Sequence, residues 1–239
     1  MRGKVLCSEV IGELDFTSYF WLLVTGAMPS KAQQALANAV LCAIAEHGLV
    51  PSVVAARMTF AAAPEAFHGA VAAGLLGCGS VVLGSAEVAG RFYARVVAEA
   101  EASGADPAQA ASAAVKALRA EKQAIPGFGH PQHSAGDPRA HRLLALAREH
   151  GMEGKHIAML RTIEAVLPEA IGRALPINVN GAIPAVMLDA GFPFAALKGI
   201  SLLARTVSLI AHLNEEAERP IGFIMSGAAA ARIAFAPTA

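Results

Sequence analysis

The stretch 126–141, PGFGHPQHSAGDPRAH, restricts the backbone more strongly than any other part of the chain. In its first half a proline and two glycines bracket a phenylalanine, and His130 follows at once. In its second half a helix begins, because Asp137 suits the N-cap position and Pro138 suits the first helical position. The stretch therefore predicts a short loop between two helices that presents His130 and, in the first turn of the second helix, Arg139.

Almost all of the remaining chain has helical periodicity, and no run shows convincing alternation of apolar and polar residues. The pair Asp106-Pro107 repeats the N-cap and proline pattern. Residues 155–167 are predicted to be helical, with a disturbance at Pro168. The segment 178–181, NVNG, is predicted to form a turn before the next helix. The pattern as a whole predicts an all-α fold.

Hydrophobic residues make up 55% of the 239 residues, and charged residues make up only 16%. One core of this size cannot hide so much apolar surface, so we expect a partner subunit or a ligand to cover part of it. The segment 222–239 is apolar and rich in Gly and Ala, and we expect it to dock, including on a second subunit. These features predict a homodimer or a higher homo-oligomer.

The formal net charge is zero, with 19 Lys+Arg against 19 Asp+Glu. The sequence has no basic stripe or polybasic tail, which argues against nucleic acid as the main partner. Cys7, Cys42 and Cys78 are scattered without metal-ligand spacing, so we expect no bound metal and a reducing, cytoplasmic location. Glu9 and Glu13 come too early for a signal peptide.

Residues 69–86 carry no charge, and their number is borderline for a membrane-spanning helix. The segment is poor in large apolar residues and is interrupted by several glycines, and His68 and Glu87 flank it closely. Small residues of this kind let helices approach each other closely in a protein core. We therefore expect packed helices here and no membrane association.

The loop pattern, PG-aromatic-GH followed by DPR, resembles a segment of the citrate synthase superfamily. Further segments resemble that family in the same order: 45–49 (AEHGL) with 55–57 (AAR), 67–69 (FHG), 178–179 (NV), 204–216 (ARTVSLIAHLNEE) and 219–220 (RP). The similarity spans nearly the whole chain. The compact length and the GHP variant of the loop look more like citryl-CoA lyases, including the lyase module of ATP-citrate lyase.

The resemblance implies an all-α, citrate synthase-like fold with two lobes and an active site in a cleft. Residues 1–84 and 182–239 would form the large lobe, and residues 85–181 would form a small helical lobe. The implied function is a carbon–carbon lyase that cleaves a citryl-CoA-like thioester to acetyl-CoA and an oxo acid, oxaloacetate. A coenzyme A thioester would be the substrate, with no metal and no redox cofactor. Two alternatives remain open: a condensing acyltransferase like citrate synthase, and a catalytically silent acyl-CoA-binding homologue.

The same resemblance implies roles for single residues. His68 would donate a hydrogen bond to the thioester carbonyl oxygen and stabilise an enolate. His130 would act on the hydroxyl or carbonyl of the carbon that is released or attacked. The carboxylates of a citrate-like group would be bound by His47, Arg139, Arg205 and Arg219, the last in the site of the neighbouring subunit. The coenzyme A end would lie against Gly127, Phe128 and Gly129.

Two positions depart from the family pattern. The family's general base is an aspartate after NV, whereas this chain has Asn180, whose amide cannot take a proton at neutral pH. Condensation begins with removal of a proton from a thioester methyl group, so the departure counts against the synthase direction. Pro131 stands where synthases usually have an arginine, which changes the loop.

Overall fold

The computed structural model describes residues 1–79, 83–129 and 136–234. Within these ranges the chain forms eleven α-helices and no β-strand, so the predicted all-α fold is confirmed. A π-helical turn, Leu6–Val10, precedes the first helix. The helices are α1 Phe16–Thr25, α2 Lys31–Ala45, α3 Pro51–Ala62, α4 Phe67–Leu76, α5 Ser85–Ser103, α6 Pro107–Ala120, α7 Pro138–Glu149, α8 Lys155–Ile171, α9 Val179–Asp189, α10 Leu197–Glu218 and α11 Gly222–Arg232.

Aspartate side chains begin two helices where the sequence pattern predicts them. Asp106 accepts hydrogen bonds from the backbone N–H groups of Ala108 and Gln109 at the start of α6. Asp137 accepts one from the N–H of Arg139 at the start of α7. Each carboxylate satisfies N–H groups that have no partner inside the helix, and a proline follows each of them. Both predicted N-caps are confirmed.

The start of α9 differs from the prediction. The NVNG segment was expected to be a turn, but α9 begins within it, at Val179. The reason is that Asn178 is itself the N-cap, and its side-chain oxygen accepts a hydrogen bond from Gly181 N at 3.1 Å. Asn180 therefore lies in the first turn of a helix rather than in a loop.

The end of α8 also differs from the prediction. Pro168 does not end the helix, which continues to Ile171 and stops at Gly172 in the left-handed conformation. A proline inside a helix removes one backbone hydrogen bond. Leu167 and Ile163 are fully buried on this helix, and their packing favours a continuous helix in spite of that loss.

The chain divides into two compact units by its internal packing. Unit 1 consists of Met1–Ala43 and Gly84–Gly199, and unit 2 consists of Ile44–Leu83 and Ile200–Ala239. These bounds differ from those of the predicted lobes. Helix α9 packs on α5, α7 and α8, which places the segment 182–199 with the middle of the chain. The assignment of a large and a small lobe stays a prediction.

Glycines and aromatic residues set the packing of unit 1. A Cβ atom added at Gly90 in α5 would lie 2.9 Å from Pro184 Cβ in α9, so the backbone of α5 lies directly against the Pro184 side chain. Trp21 of α1 packs on Phe192, with ring centroids 5.3 Å apart. Only glycine at position 90 leaves room for the contact with Pro184, which fixes α5 against α9.

Helices α3, α4 and α10 form the core of unit 2. Its buried members are Val53, Ala56, Ala70, Leu209 and Leu213. A Cβ atom at Gly74 in α4 would lie 2.8 Å from both Leu209 Cδ1 and the carbonyl oxygen of Ser52. Gly74 belongs to the uncharged stretch 69–86, whose length is borderline for a membrane span. Close packing against α3 and α10 accounts for a glycine at this position.

Among the described residues, one helical segment is long and apolar enough to cross a membrane. It is Phe194–Glu218, which joins a short 3₁₀ turn to α10. The core helix of a soluble protein has the same length and composition, and α10 carries the buried charged residues Arg205 and Glu216. Length and composition are therefore weak evidence for a membrane span here.

A buried carboxylate begins helix α8. Asp189, at the end of α9, accepts hydrogen bonds from the backbone N–H groups of Gly154, His156 and Ile157 at 2.8–3.0 Å. It also lies 2.8 Å from His156 Nδ1. Burial alone would raise the pKa of Asp189, but the hydrogen bonds from His156, Ile157 and Gly154 outweigh it and hold the pKa below its usual value.

Replacing this carboxylate should destabilise the protein. We expect Asp189→Ala to lower the free energy of unfolding by about 2 kcal/mol or more, because a lost cap costs about 1 kcal/mol and buried N–H groups remain unpaired. Urea denaturation at pH 7 measures the loss. Asp106→Ala, which removes an exposed cap, is the matched control and should cost about 1 kcal/mol.

The loss should also depend on pH. Because the folded-state pKa of Asp189 is depressed, its contribution is present above the unfolded pKa of about 4 and disappears as the pH falls through the folded pKa. The difference between the parent and Asp189→Ala should therefore shrink in acid. Equal losses for the two variants at pH 7 would show that the buried hydrogen bonds add nothing.

Candidate active site

The loop that contains Gly127 and Phe128 lies directly on the first turn of α9. Gly127 has φ of 87°, and a Cβ atom there would lie 2.7 Å from Gly181 Cα and against the hydroxyl of Tyr93. That hydroxyl donates a hydrogen bond to the carbonyl oxygen of Pro126 at 3.2 Å. The position therefore requires glycine both for its backbone angle and for the space it occupies.

Asn178 holds the same loop through two of its groups, and a third group caps α9. Its backbone N–H donates to the carbonyl oxygen of Gly127 at 3.0 Å. Its side-chain Nδ2 donates to the carbonyl oxygen of Gly129 at 2.7 Å, while its Oδ1 caps α9. Gly129 N donates in turn to Pro176 at 2.8 Å. The loop predicted to face coenzyme A is thus fixed to the segment that leads into Asn180.

Asp137 joins the N-termini of α7 and α9. It is fully buried, and its Oδ2 accepts hydrogen bonds from Val179 N and Arg139 Nη2, each at 2.9 Å. Its Oδ1 accepts from Arg139 N and Nε, each at 3.0 Å. Burial alone would raise the pKa of Asp137, but Arg139 and Val179 N–H outweigh it and lower the pKa. One carboxylate therefore orients Arg139 and the turn that bears Asn180.

Two further residues that the sequence predicts for the site belong to unit 1. Asn180 is half-buried in the first turn of α9, and no hydrogen bond of its side chain is present in the described part of the chain. His130 and Pro131 lie outside the described residues, so the predicted action of His130 on a hydroxyl or carbonyl stays a prediction.

A buried ion pair connects three helices of unit 2. Arg57 of α3 donates to Glu216 Oε2 at 2.6 Å and to Glu215 Oε2 at 2.9 Å, both in α10. The other oxygen of Glu216 accepts hydrogen bonds from Ile221 N and Gly222 N at the start of α11. Burial alone would raise the pKa of Glu216, but Arg57 and these N–H groups hold it below its usual value.

A hydrogen-bonded chain links this ion pair to the turn after α2. Arg57 Nη1 lies 3.3 Å from His212 Nδ1, and His212 Nε2 lies 3.2 Å from Glu46 Oε1. Because a guanidinium only donates, Nδ1 accepts and Nε2–H donates to Glu46. Ser208 donates to the other oxygen of Glu46 at 3.1 Å. Both ring nitrogens of His212 are thus hydrogen-bonded, and the network holds Glu46, the residue before His47.

Arg205 differs from Arg57 in one decisive respect. Only 3% of Arg205, which lies in α10, is accessible to solvent. Its Nε and Nη1 atoms nevertheless have no hydrogen-bond partner among the described residues. Burial lowers the pKa of this guanidinium, while Cys78 and Glu46 act in the opposite direction. A buried guanidinium without a partner is costly, and a bound carboxylate would satisfy it.

Three further predicted residues are exposed in unit 2. His47 follows α2, His68 lies in the first turn of α4, and Arg219 follows α10. Arg219 Nη2 donates to Glu215 Oε1 at 2.9 Å, and 78% of its side chain is accessible. The structure places Arg205 within electrostatic range of Glu46, next to His47, whereas no hydrogen bond joins His68 to these residues in the described chain.

Sequence reasoning assigned no role to Glu46, Glu216 or Tyr93. For Glu216 a signal existed, since a charged residue inside an apolar helix must find a partner when it is buried. For Glu46 no local signal existed, because Ser208 and His212 are 162 and 166 residues away along the chain.

The comparisons with known proteins agree with this architecture. The family model described as citrate synthase, C-terminal domain, matches residues 2–223. Because the match covers most of the chain, the protein belongs to the citrate synthase family. The comparison with curated protein sequences gave no match.

Solved structures of related enzymes superpose on the chain. A citryl-CoA lyase from Hydrogenobacter thermophilus has 29% sequence identity and a TM-score of 0.88, with 100% of this chain and 90% of that chain covered. ATP citrate lyase of Methanosaeta concilii, solved with (3S)-citryl-CoA, has 20% identity and a TM-score of 0.73, covering 99% of this chain and 39% of that one.

A third structure shows the same fold at similar distance. Citrate synthase from the archaeon Thermoplasma acidophilum, in a ternary complex with carboxymethyl coenzyme A and oxaloacetate, has 20% identity and a TM-score of 0.71. The match covers 86% of this chain and 54% of that one. The last two likenesses establish the fold alone, and the citrate synthase-like fold predicted from the sequence is confirmed.

The contrast between the two buried arginines of unit 2 is testable. Arg205→Met should raise the free energy of unfolding of the ligand-free protein by about 1 kcal/mol, because it removes an unpaired buried charge. Arg57→Met should lower it by about 3 kcal/mol or more, because Glu216 loses its partner. Urea denaturation without ligand measures both changes.

Ligand addition provides the second half of this test. Citrate should raise the unfolding midpoint of the parent, since a ligand that binds only the folded state stabilises it, and it should leave Arg205→Met unchanged. If Arg205→Met instead lost as much stability as Arg57→Met, the Arg205 side chain would be part of the folding core and not a ligand site.

Proposed function

We propose that this protein is a citryl-CoA lyase, which cleaves citryl-CoA to acetyl-CoA and oxaloacetate. The observation that carries the proposal is the match along the whole chain to a citryl-CoA lyase at 29% identity. Membership of the citrate synthase family supports it, as do the two buried nitrogens of Arg205 that have no hydrogen-bond partner among the described residues. The substrate is a coenzyme A thioester that bears carboxylates, which is the chemistry a buried guanidinium accommodates.

The reaction needs only proton transfers and one carbon–carbon cleavage. A base removes the proton of the citryl hydroxyl, and the oxygen forms the ketone of oxaloacetate. The bond to the carbon next to the thioester breaks, and its electron pair passes to that carbon as an enolate. A proton then adds to this carbon and gives acetyl-CoA. We assign the hydroxyl proton to His130 and stabilisation of the enolate oxygen to His68.

The remaining roles concern binding. Arg205, Arg139 and His47 bind carboxylates of the substrate, with Arg139 held in a defined direction by Asp137. Gly127, Phe128 and Gly129 face the coenzyme A portion. The close contact between Gly127 and Gly181 of α9 supports this role, because it holds the loop in a fixed position. Because every bond change is balanced by proton transfer, we propose that neither a metal nor a redox cofactor takes part.

Asn180 separates this protein from a synthase at the step of proton abstraction; cleavage and condensation share one transition state, so the residue does not change their equilibrium. Condensation starts with removal of a methyl proton from acetyl-CoA, and the amide of Asn180 cannot accept that proton. Cleavage ends with protonation of the enolate, which water can supply. The same amide is the one observation that favours the alternative of a silent acyl-CoA-binding protein, so activity has to be measured directly.

The purified protein should consume citryl-CoA and release acetyl-CoA and oxaloacetate, followed by chromatography of the thioesters and by reduction of oxaloacetate with a coupled dehydrogenase. Malyl-CoA serves as the substrate control. Binding of citryl-CoA without any turnover would favour the silent homologue, and net synthesis of citrate from acetyl-CoA and oxaloacetate at a comparable rate would favour the condensing enzyme.

Isolated proton exchange tests the part that Asn180 plays. Exchange of the acetyl-CoA methyl protons with deuterated water should be slow in the parent, and Asn180→Asp should speed it by about 10²-fold or more, since a general base contributes that much. Nuclear magnetic resonance follows the exchange. Fast exchange in the parent would assign the base to another residue.

We also propose that the protein works as a homodimer or a multiple of it. Helix α11 leaves Phe223 and Ile224 about 70% and 67% exposed, and such apolar side chains on one short helix favour a protein partner. Arg219, exposed at the end of α10, would then serve the site of the neighbouring subunit. Light scattering at micromolar concentration should give at least twice the mass of 24.5 kDa; a stable monomer would contradict both statements.

A further inference from the structure

One face of helix α10 is polar although it is largely buried. Its members stand three or four residues apart, which is the spacing of neighbours on one face of a helix. They are Ser201, Arg205, Ser208, His212 and Glu216. Buried polar groups are costly unless they are hydrogen-bonded, so each needs a partner. Arg57 supplies it for Glu216, and Glu46 supplies it for Ser208 and His212.

Glu46 joins this face of α10 to the turn that carries His47. Its Oε2 accepts a hydrogen bond from Ser208 Oγ at 3.1 Å, and His212 Nε2 lies 3.2 Å from its Oε1. The same Oε1 accepts a hydrogen bond from the backbone N–H of Gly48. One carboxylate therefore fixes to α10 the residues immediately before and after His47.

Local structure does not explain a glutamate at this position. Residue 46 directly follows α2, where the helix dipole disfavours a negative charge. Gly48 has φ of 65°, so the glycine makes the turn after the helix and needs no carboxylate for it. Burial alone would raise the pKa of Glu46, but the hydrogen bonds from Gly48, His212 and Ser208 outweigh it and lower the pKa. Glu46 is therefore ionised at neutral pH and accepts from three donors.

We propose that Glu46 is a positioning residue that aligns His47 with Arg205, so that both side chains contact carboxylates of the substrate. The inference rests on the proposed function for the identity of that substrate, which carries a citrate-like group. Arg205 precedes Ser208 by one turn of α10, so the hydrogen bond at Ser208 fixes the turn of His47 relative to the guanidinium. Glu46 also opposes the effect of burial on the pKa of Arg205, which places the two groups within electrostatic range.

The negative charge of Glu46 allows a test by the sign of the effect. Through Coulomb repulsion alone, a carboxylate near the site weakens the binding of an anion, and its removal strengthens that binding. Because 60% of the Glu46 side chain is accessible to water, this repulsion is screened and small. Alignment of His47 acts in the opposite direction, since its loss removes a hydrogen bond to the ligand. The two effects therefore predict opposite changes in affinity.

Calorimetric titration with citrate measures this sign. Glu46→Ala should weaken the binding of citrate about tenfold, because a hydrogen bond to a charged group contributes about that factor. Glu46→Gln should restore most of the affinity. Its amide oxygen accepts from Gly48 N–H and from His212, while its NH₂ group donates to Ser208 Oγ, so the alignment is kept without the charge.

Glu9→Ala is the matched control. Glu9 also accepts a hydrogen bond from a backbone N–H, that of Val5 at 2.8 Å, and one from a side chain, Lys4 Nζ at 3.1 Å. Neither of these donors is a proposed binding residue, so this variant should bind citrate like the parent. Unfolding midpoints of all three variants identify any general loss of stability.

The kinetics of citryl-CoA cleavage separate positioning from a purely structural role. Loss of a contact that is equally strong in the ground state and the transition state raises KM and leaves kcat unchanged. Glu46→Ala should therefore raise KM about tenfold, with kcat within about twofold of the parent. A lower kcat and a lower unfolding midpoint at an unchanged KM would show that Glu46 serves only the fold, and would overturn the proposal.

The outcomes for Glu46 and for the lyase are distinguishable. Citrate binding that is as tight in Glu46→Ala as in the parent, or tighter, would overturn the positioning role, and so would equal losses in the Ala and Gln variants. Glu46-dependent binding of citrate in a protein that leaves citryl-CoA intact would support the positioning role and count against the lyase. Cleavage of citryl-CoA with the same KM in the parent and Glu46→Ala would support the lyase and overturn the positioning role.

Discussion

The fully buried carboxylate of Asp137 is the interaction on which the organisation of unit 1 depends. It begins α7, it receives the side chain of Arg139 in a two-pronged contact, and it accepts the first N–H of α9 through Val179. A carboxylate at the meeting point of two helix N-termini is favoured by both helix dipoles and by the hydrogen bonds it receives. Those hydrogen bonds offset the cost of burying the charge.

Unit 2 contains two buried arginines, of which one is paired with carboxylates and the other is not. Arg57 is buried and surrounded by the carboxylates of Glu215 and Glu216, so its burial ties α3 to α10 and, through Glu216, to α11. Arg205 is equally buried on α10 but leaves two nitrogens without a partner in the described chain. Folding explains the first arginine. Burial of Arg205 by itself disfavours folding, and a bound carboxylate would offset that cost by accepting its hydrogen bonds.

The sequence predicted the parts of the fold that depend on near neighbours along the chain. The caps by Asp106 and Asp137 are confirmed because a side chain satisfies N–H groups only two or three residues away. Helix boundaries were wrong where distant packing competes with local preference. Pro168 would end an isolated helix, but the buried face of α8 continues past it. The N-cap role of Asn178 was missed because the same residue type also favours turns.

For the candidate site, the sequence by itself determined which residue types are present and in what order, and this was enough to show the family. The local sequence also determines backbone angles that require glycine, as at Gly127. Only the tertiary structure decided which arginine is paired and which is not, and which carboxylate holds the turn before His47. It also decided that Arg119 and Arg173, 54 positions apart, face one cavity. The physical reason is that burial and pairing depend on helices that meet in space, and a linear pattern does not specify those distances.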